Sequence, residues 1–460
     1  MPEVTVSSTP APDGVPDHLK PDLLAEQRVR RTLGLSLIEG SFTQVFLVWT
    51  SGSVLAGLML HAGATPQQLA AVVSIPMLMQ VLNPVTSWLV ASLSSRKQFM
   101  IVAGLLGRLV WLVPVLLPLF AVDPARVPAI LIAVVCFSSF FQSGLGPAWA
   151  SLMADVVPDA SRGRYFGLRN GWMGMVGMAS GFAAGWFLDH TPAPASFQMV
   201  LLIAVVFALI GIRLYSFHYE PKLARPENAL LATIAEPFRD RNFRRFLLFA
   251  VYWNASVMLA APFVIPYFIS HLKMSFTQLA IWTAIASVAT LIIGSWWGRV
   301  ADRVGHKQVL KVTTFLAGSA HPACWILATP GHLGFIWLSG LMDALSWGGI
   351  NAAMFNLSVV TAPRAKRMIY LSVIGAVTGV AGFCAGLFSG VLLDWLLQHE
   401  TWIGSFHWTG YHSLFALSGF LRMQAWWLLA PVQEAKSIPA REILRWLWMR
   451  TCNLLPWRTT

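Results

Sequence analysis

The chain has 460 residues, of which 56% are hydrophobic and only 11% charged, with a mean hydropathy of +0.62 and a net charge of +12. An ordinary soluble domain is about 25% charged, so this composition cannot cover a water-soluble globule and indicates an integral membrane protein. The surplus of bases would suggest nucleic acid in a soluble chain, but here membrane sidedness accounts for it, as shown below.

Other classes fall away on motifs. Cys136, Cys324, Cys384 and Cys452 are scattered without a C-x-x-C pair, which supports neither a disulfide framework nor a metal site. No G-x-x-x-x-G-K-[ST] run is present for an ATP-driven pump. Ser, His and Asp occur without a nucleophile motif, so the reading is not an enzyme and needs no cofactor.

Taken in order, residues 1–32 carry Pro2, Pro10, Pro12, Pro16 and Pro21 among charges and lack an apolar core; they read as a disordered cytoplasmic tail rather than a signal peptide. A bilayer-spanning helix needs about 20 apolar residues. Twelve segments qualify: 35–60, 68–92, 98–120, 128–153, 166–188, 197–217, 246–270, 278–300, 308–329, 333–357, 370–396 and 409–431. The longest break, 218–245, is polar and basic. It separates an expected six-helix bundle over 33–217 from a second over 246–432. Residues 433–460 follow as a basic tail, in which Arg441–Trp448 reads as an amphipathic helix on the inner leaflet.

Lys and Arg set the orientation. With the N-terminus inside, 27 of the 32 bases fall in inner segments, and only Arg126 and Lys273 in outer loops. The other three, Arg108, Arg213 and Arg422, lie within spans. Both termini are therefore expected in the cytoplasm.

The two bundles repeat each other. A shift of 210 places His61 on His271, Gln68-Leu69-Ala70 on Gln278-Leu279-Ala280, and Lys97-Gln98 on Lys307-Gln308. A shift of 205 places Arg162 on Arg367, Tyr165 on Tyr370, and Leu188-Asp189 on Leu393-Asp394. It also lays Gly177, Gly181 and Gly185 on Gly382, Gly386 and Gly390. Such ladders allow close helix approach in lipid and predict an interface between the halves. Parallel repeats with a binding site at their interface are a common transporter architecture.

Between segments eight and nine stands a charged turn, Gly298-x-x-x-Asp302-Arg303-x-Gly305-x-Lys307. With the six-plus-six repeat, it resembles the signature loop of the major facilitator superfamily, twelve-helix secondary transporters. The resemblance covers roughly residues 30–432. Its first-half copy, Trp88 to Lys97, is degraded, with Ser92 where Asp302 stands and Trp88 where Gly298 stands. The family's antiporter signature in the fifth helix is absent, since the glycines lack the accompanying proline.

The resemblance implies that the first, fourth, seventh and tenth helices line a central cavity, while the third, sixth and twelfth are mostly scaffold. It also implies that Gly298, Asp302, Arg303, Gly305 and Lys307 belong to an inner gate. Asp302 is expected to face the start of the fifth helix near Arg162, Arg164 and Tyr165. Arg162-x-x-Tyr165 and Arg367-x-x-Tyr370 open the fifth and eleventh segments as further gate or anchor elements.

A charge at the bilayer centre costs on the order of 2.5–3.5 kcal/mol on insertion scales, which singles out the intramembrane charges. Asp343 lies ten residues into segment ten, about 15 Å deep at 1.5 Å per residue, and suits proton binding, or else an ion pair with Arg422. Glu39, one turn into the first segment, either belongs to a water-lined face with Ser36, Thr43, Thr50 and Ser53 or pairs with an arginine. Arg108 partners Glu39 or binds an anion. The amides Gln44, Gln142, Asn254 and Asn351, with Gln80 and Asn83, complete the candidate cavity, where Gln44 and Asn254 are repeat equivalents. Trp149, Tyr252, Trp253 and Trp347 are candidate stacking walls.

The expectation is an all-α, multi-pass protein of the cell membrane, a monomer that moves a small-molecule solute by alternating access, with H+ as coupling ion through Asp343 or Glu39. A lipid-handling transporter and a non-transporting membrane sensor are the alternatives on the same fold.

Overall fold

The computed structural model describes residues 20–93, 95–120, 122–158, 161–221, 235–363 and 366–434. The inner-leaflet helix expected over Arg441–Trp448 lies outside the described residues.

Among the described residues the helices fall into twelve rods. α1 runs Lys20–Trp49 and continues as Gly52–His61, so helix begins twelve residues before the expected end of the tail. The Thr50 and Ser51 hydroxyls bond back to the Phe46 and Leu47 carbonyls, and Gly52, at φ 53°, takes the left-handed turn that a side chain would resist. α2 is Pro66–Leu78, a 3₁₀ turn at Met79–Leu82, and Asn83–Ser92, restarted by Pro84. α3 is Arg96–Leu109, then Leu112–Leu116 and Leu117–Phe120. α4 is Val127–Gln142 and Leu145–Val156. α5 is Arg162–His190 and α6 Ala195–Tyr215.

The second half repeats the plan. α7 is Arg241–Met258 and Ala261–Ser270, broken before Pro262. α8 is Phe276–Val304, α9 His306–Leu327, α10 Gly334–Thr361, α11 Arg367–Leu397 and α12 Gly410–Leu428. A short hairpin, β1 Thr401–Ile403 against β2 Phe406–Trp408, joins α11 to α12. Eight of the rods are long and apolar enough to cross a membrane; α5, α9, α10 and α12 fall short because glycine and polar residues dilute them.

Local caps carry the repeat. Thr65 and Gln68 form a capping box at the start of α2, and Ser275 and Gln278 form its counterpart at α8. Each satisfies two orphan N–H groups reciprocally.

Packing divides the molecule along the membrane normal. At the end bearing the α1–α2 and α7–α8 turns, one continuous apolar cluster crosses both halves, joining Phe46, Met59 and Leu69 to Phe263, Tyr267, Leu393 and Phe415. We call this the far end. At the opposite, basic end the core splits. Val90, Met100, Leu152 and Tyr215 form one cluster in the first half, and Phe246, Trp253, Leu310 and Leu357 another in the second.

Candidate functional site

The far end is closed by two seams. In α11, an added Cβ at Gly390 would lie 2.8 Å from Gln67 Cα, and at Gly382 3.1 Å from Met77 Cε; Gly386 meets Ser74. All three second-half ladder glycines therefore face α2. In the first half only Gly185 does the equivalent, against the backbone of Phe276 and Thr277, whereas Gly177 and Gly181 pack on Gln44 and Val48 of their own bundle. Asp189 adds a charge to that second seam. Its carboxylate accepts from the Phe276 and Thr277 N–H groups, both at 2.8 Å, at the positive end of α8.

Toward the basic end the α5–α8 seam parts. Gly163, Gly167, Gly171 and Gly174 of α5 and Gly298 of α8 have no neighbour within 4 Å of where a Cβ would stand. Asp302 is exposed, and among the described residues no hydrogen bond or ion pair joins it to α5. The expected pairing of Asp302 with the start of α5 is thus not made here, because α5 and α8 diverge before reaching it.

The signature loop instead binds its own half. Glu434 accepts from the His306 and Lys307 N–H groups, both at 2.9 Å, and the Lys307 ammonium donates to the Ala430 and Val432 carbonyls at 2.8 and 2.7 Å. The first half has the same clamp. Glu220 accepts from Arg96 N at 2.6 Å and Lys97 N at 3.3 Å, and Lys97 reaches the Ser216 and His218 carbonyls. The degraded loop has therefore lost its acid but kept this function. The clamp acids, missed in the sequence, could have been found there as the acids that follow α6 and α12. The buried Arg96 guanidinium also pairs with Asp155 at 2.6 Å.

Two further gate candidates, Tyr165 and Arg162, also bond within their own half. Tyr165 donates to the Leu33 carbonyl at 3.3 Å and Arg162 to the Ala154 carbonyl at 2.8 Å. Tyr370 is buried, edge-on to Phe243 at 4.5 Å. Gly305, at φ 95°, makes the sharp α8–α9 corner.

Glu39 and Arg108 meet through a third residue. Thr43 donates to Glu39 at 2.7 Å and accepts from Arg108 at 3.2 Å, while Arg108 also donates to the Ala208 carbonyl and lies over the Phe46 ring. Both charged side chains are buried among α1, α3 and α6. Arg169 of α5, a base that sequence reasoning passed over, stacks on Trp149 with its guanidinium carbon 4.0 Å from the ring centre.

Two cavities hold most of the other candidates. The first, about 500 Å³, is lined by α1, α2, α3, α4 and the α7 break, and contains Gln80, Asn83, Trp111, Ser138 and Gln142. The second, about 510 Å³, lies among α5, α8 and α10 and contains Asp343, Trp347 and Asn351. Asp343 is 3.9 Å from the His321 ring nitrogen, and Ser346 links to the other side of that ring at 3.0 Å. Arg422, buried on α12, donates to the Val257 carbonyl at 3.2 Å and acts electrostatically on Asp343. Gln44 and Asn254 line neither cavity; the Asn254 amide bonds its own helix at Ala250. Tyr252 donates to Gln424, and Trp253 stands 5.9 Å from Trp347.

Comparison with solved structures shows the same fold at low identity. A nucleoside transporter, NupG, aligns with a TM-score of 0.67 at 16% identity, covering 86% of this chain and 98% of the other. A D-xylose–proton symporter aligns at 0.65 and 14%, covering 88% and 98%. A bacterial homologue of the iron transporter ferroportin, solved inward-facing, aligns at 0.64 and 13%, with the same coverage. No curated protein matches the sequence. The sequence pattern of the Major Facilitator Superfamily matches residues 40–267 and again 246–458, once per half, and this multi-pass membrane protein, two six-helix repeats closed at one end, belongs to that superfamily.

Proposed function

We propose that the chain is a secondary active transporter that moves a small solute across the cell membrane by alternating access, coupled to protons at Asp343. The observation that carries this reading is the division of the core: one apolar cluster seals both halves at the far end, and separate clusters leave them apart at the basic end. Two cavities lie between or beside the halves. With the bases on the cytoplasmic side, this is the inward-facing state, and both termini are cytoplasmic.

Of the two intramembrane acids, Asp343 fits coupling better. Glu39 is enclosed by Thr43 and the Arg108 guanidinium close by and serves to lock the first bundle. Asp343 reaches a cavity with His321 as its neighbour and Arg422 in electrostatic range, so its protonation can respond to water entering from one side. Asp302 and the start of α5 would meet only when the basic end closes. The names of the neighbours, one a D-xylose–proton symporter, agree with solute movement driven by a proton gradient, and the chain works as a monomer.

The test uses purified protein in liposomes. A pH gradient, inside alkaline, is expected to drive accumulation of a transported solute, and Asp343→Asn to abolish accumulation while counterflow exchange of the same solute persists. Accumulation by Asp343→Asn at the wild-type level would move the coupling elsewhere.

A further inference from the structure

We infer that the cavity among α1, α2, α4 and the α7 break takes an uncharged solute rich in hydrogen-bond donors, of the polyol or nucleoside kind. This rests on the transporter reading for its purpose but on the cavity's own chemistry for its substance.

The first ground is charge. No Asp, Glu, Lys, Arg or His lines this cavity, in a chain with 52 charged residues. The buried charges of the first bundle do not line it: Glu39 accepts from Thr43, and Arg108 donates to Thr43 and the Ala208 carbonyl. Asp343 lines the other cavity, and the two linings share no residue. An ion leaving water costs several kcal/mol unless a counter-charge meets it. Each 1.4 kcal/mol is tenfold in binding, so an ionised solute is disfavoured by orders of magnitude here.

The second ground is donor and acceptor count. The Ser138 hydroxyl has one proton, and it goes to the Gly107 carbonyl at 2.6 Å. Ser138 must therefore accept from both Trp111 Nε1 at 3.0 Å and Gln142 Nε2 at 2.7 Å. That network fixes the amide of Gln142, which leaves its Oε1 as an acceptor for the cavity. Thr50, Ser51 and Ser143 likewise spend their protons on the Phe46, Leu47 and Phe140 carbonyls, so their oxygens can only accept. Donors come from Gln80 and Asn83 alone among the amides, and Gln80 Nε2 faces only the weak acceptor Met77 Sδ at 3.4 Å. With the Ser139 hydroxyl these are the donors of the lining, against a larger set of acceptors. An anion, which can only accept, thus meets no counter-charge and few N–H or O–H groups.

The rest of the wall is apolar, with Leu47, Leu55, Val72, Val73, Met79, Val135 and Ile265, and it suits the C–H faces of a sugar or a base. The volume of about 500 Å³ lies within the ~300–1,000 Å³ usual for small-molecule sites.

The experiment measures equilibrium binding to the purified full chain by calorimetry and thermal shift. The panel pairs neutral probes (D-xylose, D-glucose, myo-inositol, uridine, adenosine) with charged partners (D-xylonate, glucosamine, uridine and adenosine monophosphates). At least one neutral probe is expected to bind, its charged partner at least a hundredfold more weakly, and Gln142→Leu to weaken the neutral probe at least tenfold. The wild-type panel stands even if that variant folds poorly. Equal or tighter binding of a charged partner, or binding by no neutral probe, overturns the inference. Binding of neutral probes without flux in liposomes would keep it and remove the transport reading; flux of a charged solute without neutral binding would do the reverse.

Discussion

The two ends of the molecule are held by different physics. The far end is joined across the halves by apolar packing and glycine contacts, with one carboxylate, Asp189, across the α5–α8 seam. The basic end is rich in charge, yet its described clamps lie inside single halves: Glu220 with Lys97, Glu434 with Lys307, and Arg96 with Asp155. In the proposed cycle the packing that would come apart is weakly directional and reversible, whereas the bonds that make each bundle rigid would stay intact.

Four measurements can break or sharpen this contrast. The largest expected effect follows from breaking a clamp within a half: Arg96→Met strands Asp155 and part of the Glu220 site and should cost about 3 kcal/mol, the low end for a buried pair, since Asp155 is half exposed. Thermal unfolding in detergent checks it, and an unchanged transition temperature would show the clamp to be dispensable. Next, Gly390→Leu drives a side chain into the Gln67 backbone and should destabilise the closed far end by about 1–3 kcal/mol. Labelling of a cysteine at Val73 from the far side is expected to rise; no rise would mean that the seam does not close that end.

A smaller shift is expected from Asp189→Asn. Losing the charge at the α8 N-terminus is worth about 1 kcal/mol, or roughly fivefold in the balance of states. Asp394→Asn, its repeat equivalent, should do less, because Pro66 stands where Phe276 supplies an N–H. Equal effects would discard the charge–dipole account. Smallest of all, Ser92→Ala removes one exposed hydroxyl bonded to Leu89 and should stay within about 0.5 kcal/mol. Asp302→Asn should instead raise labelling of cavity cysteines from the basic side, and no difference between these two would end the inner-gate reading of the loop.

Much of the fold was legible because helices in lipid must be long and apolar, and because the repeat preserved polar marks such as Gln68 and Gln278, which proved to be matching capping boxes. The capping acids Glu220 and Glu434 escaped notice because an acid after a span looks like any other surface charge; only the folded loop shows whose N–H groups it meets. Site residues were harder. Gln142 could be nominated by type, but its useful oxygen depends on a hydrogen-bond chain through Ser138 on its own helix to Trp111 and Gly107 on α3. Gln44 and Asn254 match across the repeat yet line neither cavity, since symmetry of sequence places a residue on a helix and not on the face that looks inward.

The unequal use of the glycine ladders has a mechanical consequence. α11 grips α2 at Gly390, Gly386, Gly382 and Gly379, and reaches Asn83 at Gly375, so contact runs well past mid-length. The opposite seam touches through Gly185 near its tip and is open from Gly174 onward. A body held along one edge and pinned at a point on the other does not rock evenly; it swings. In the proposed alternating access the α2–α11 edge would serve as the pivot and the α5–α8 edge, beside the cavity that holds Asp343, as the free side.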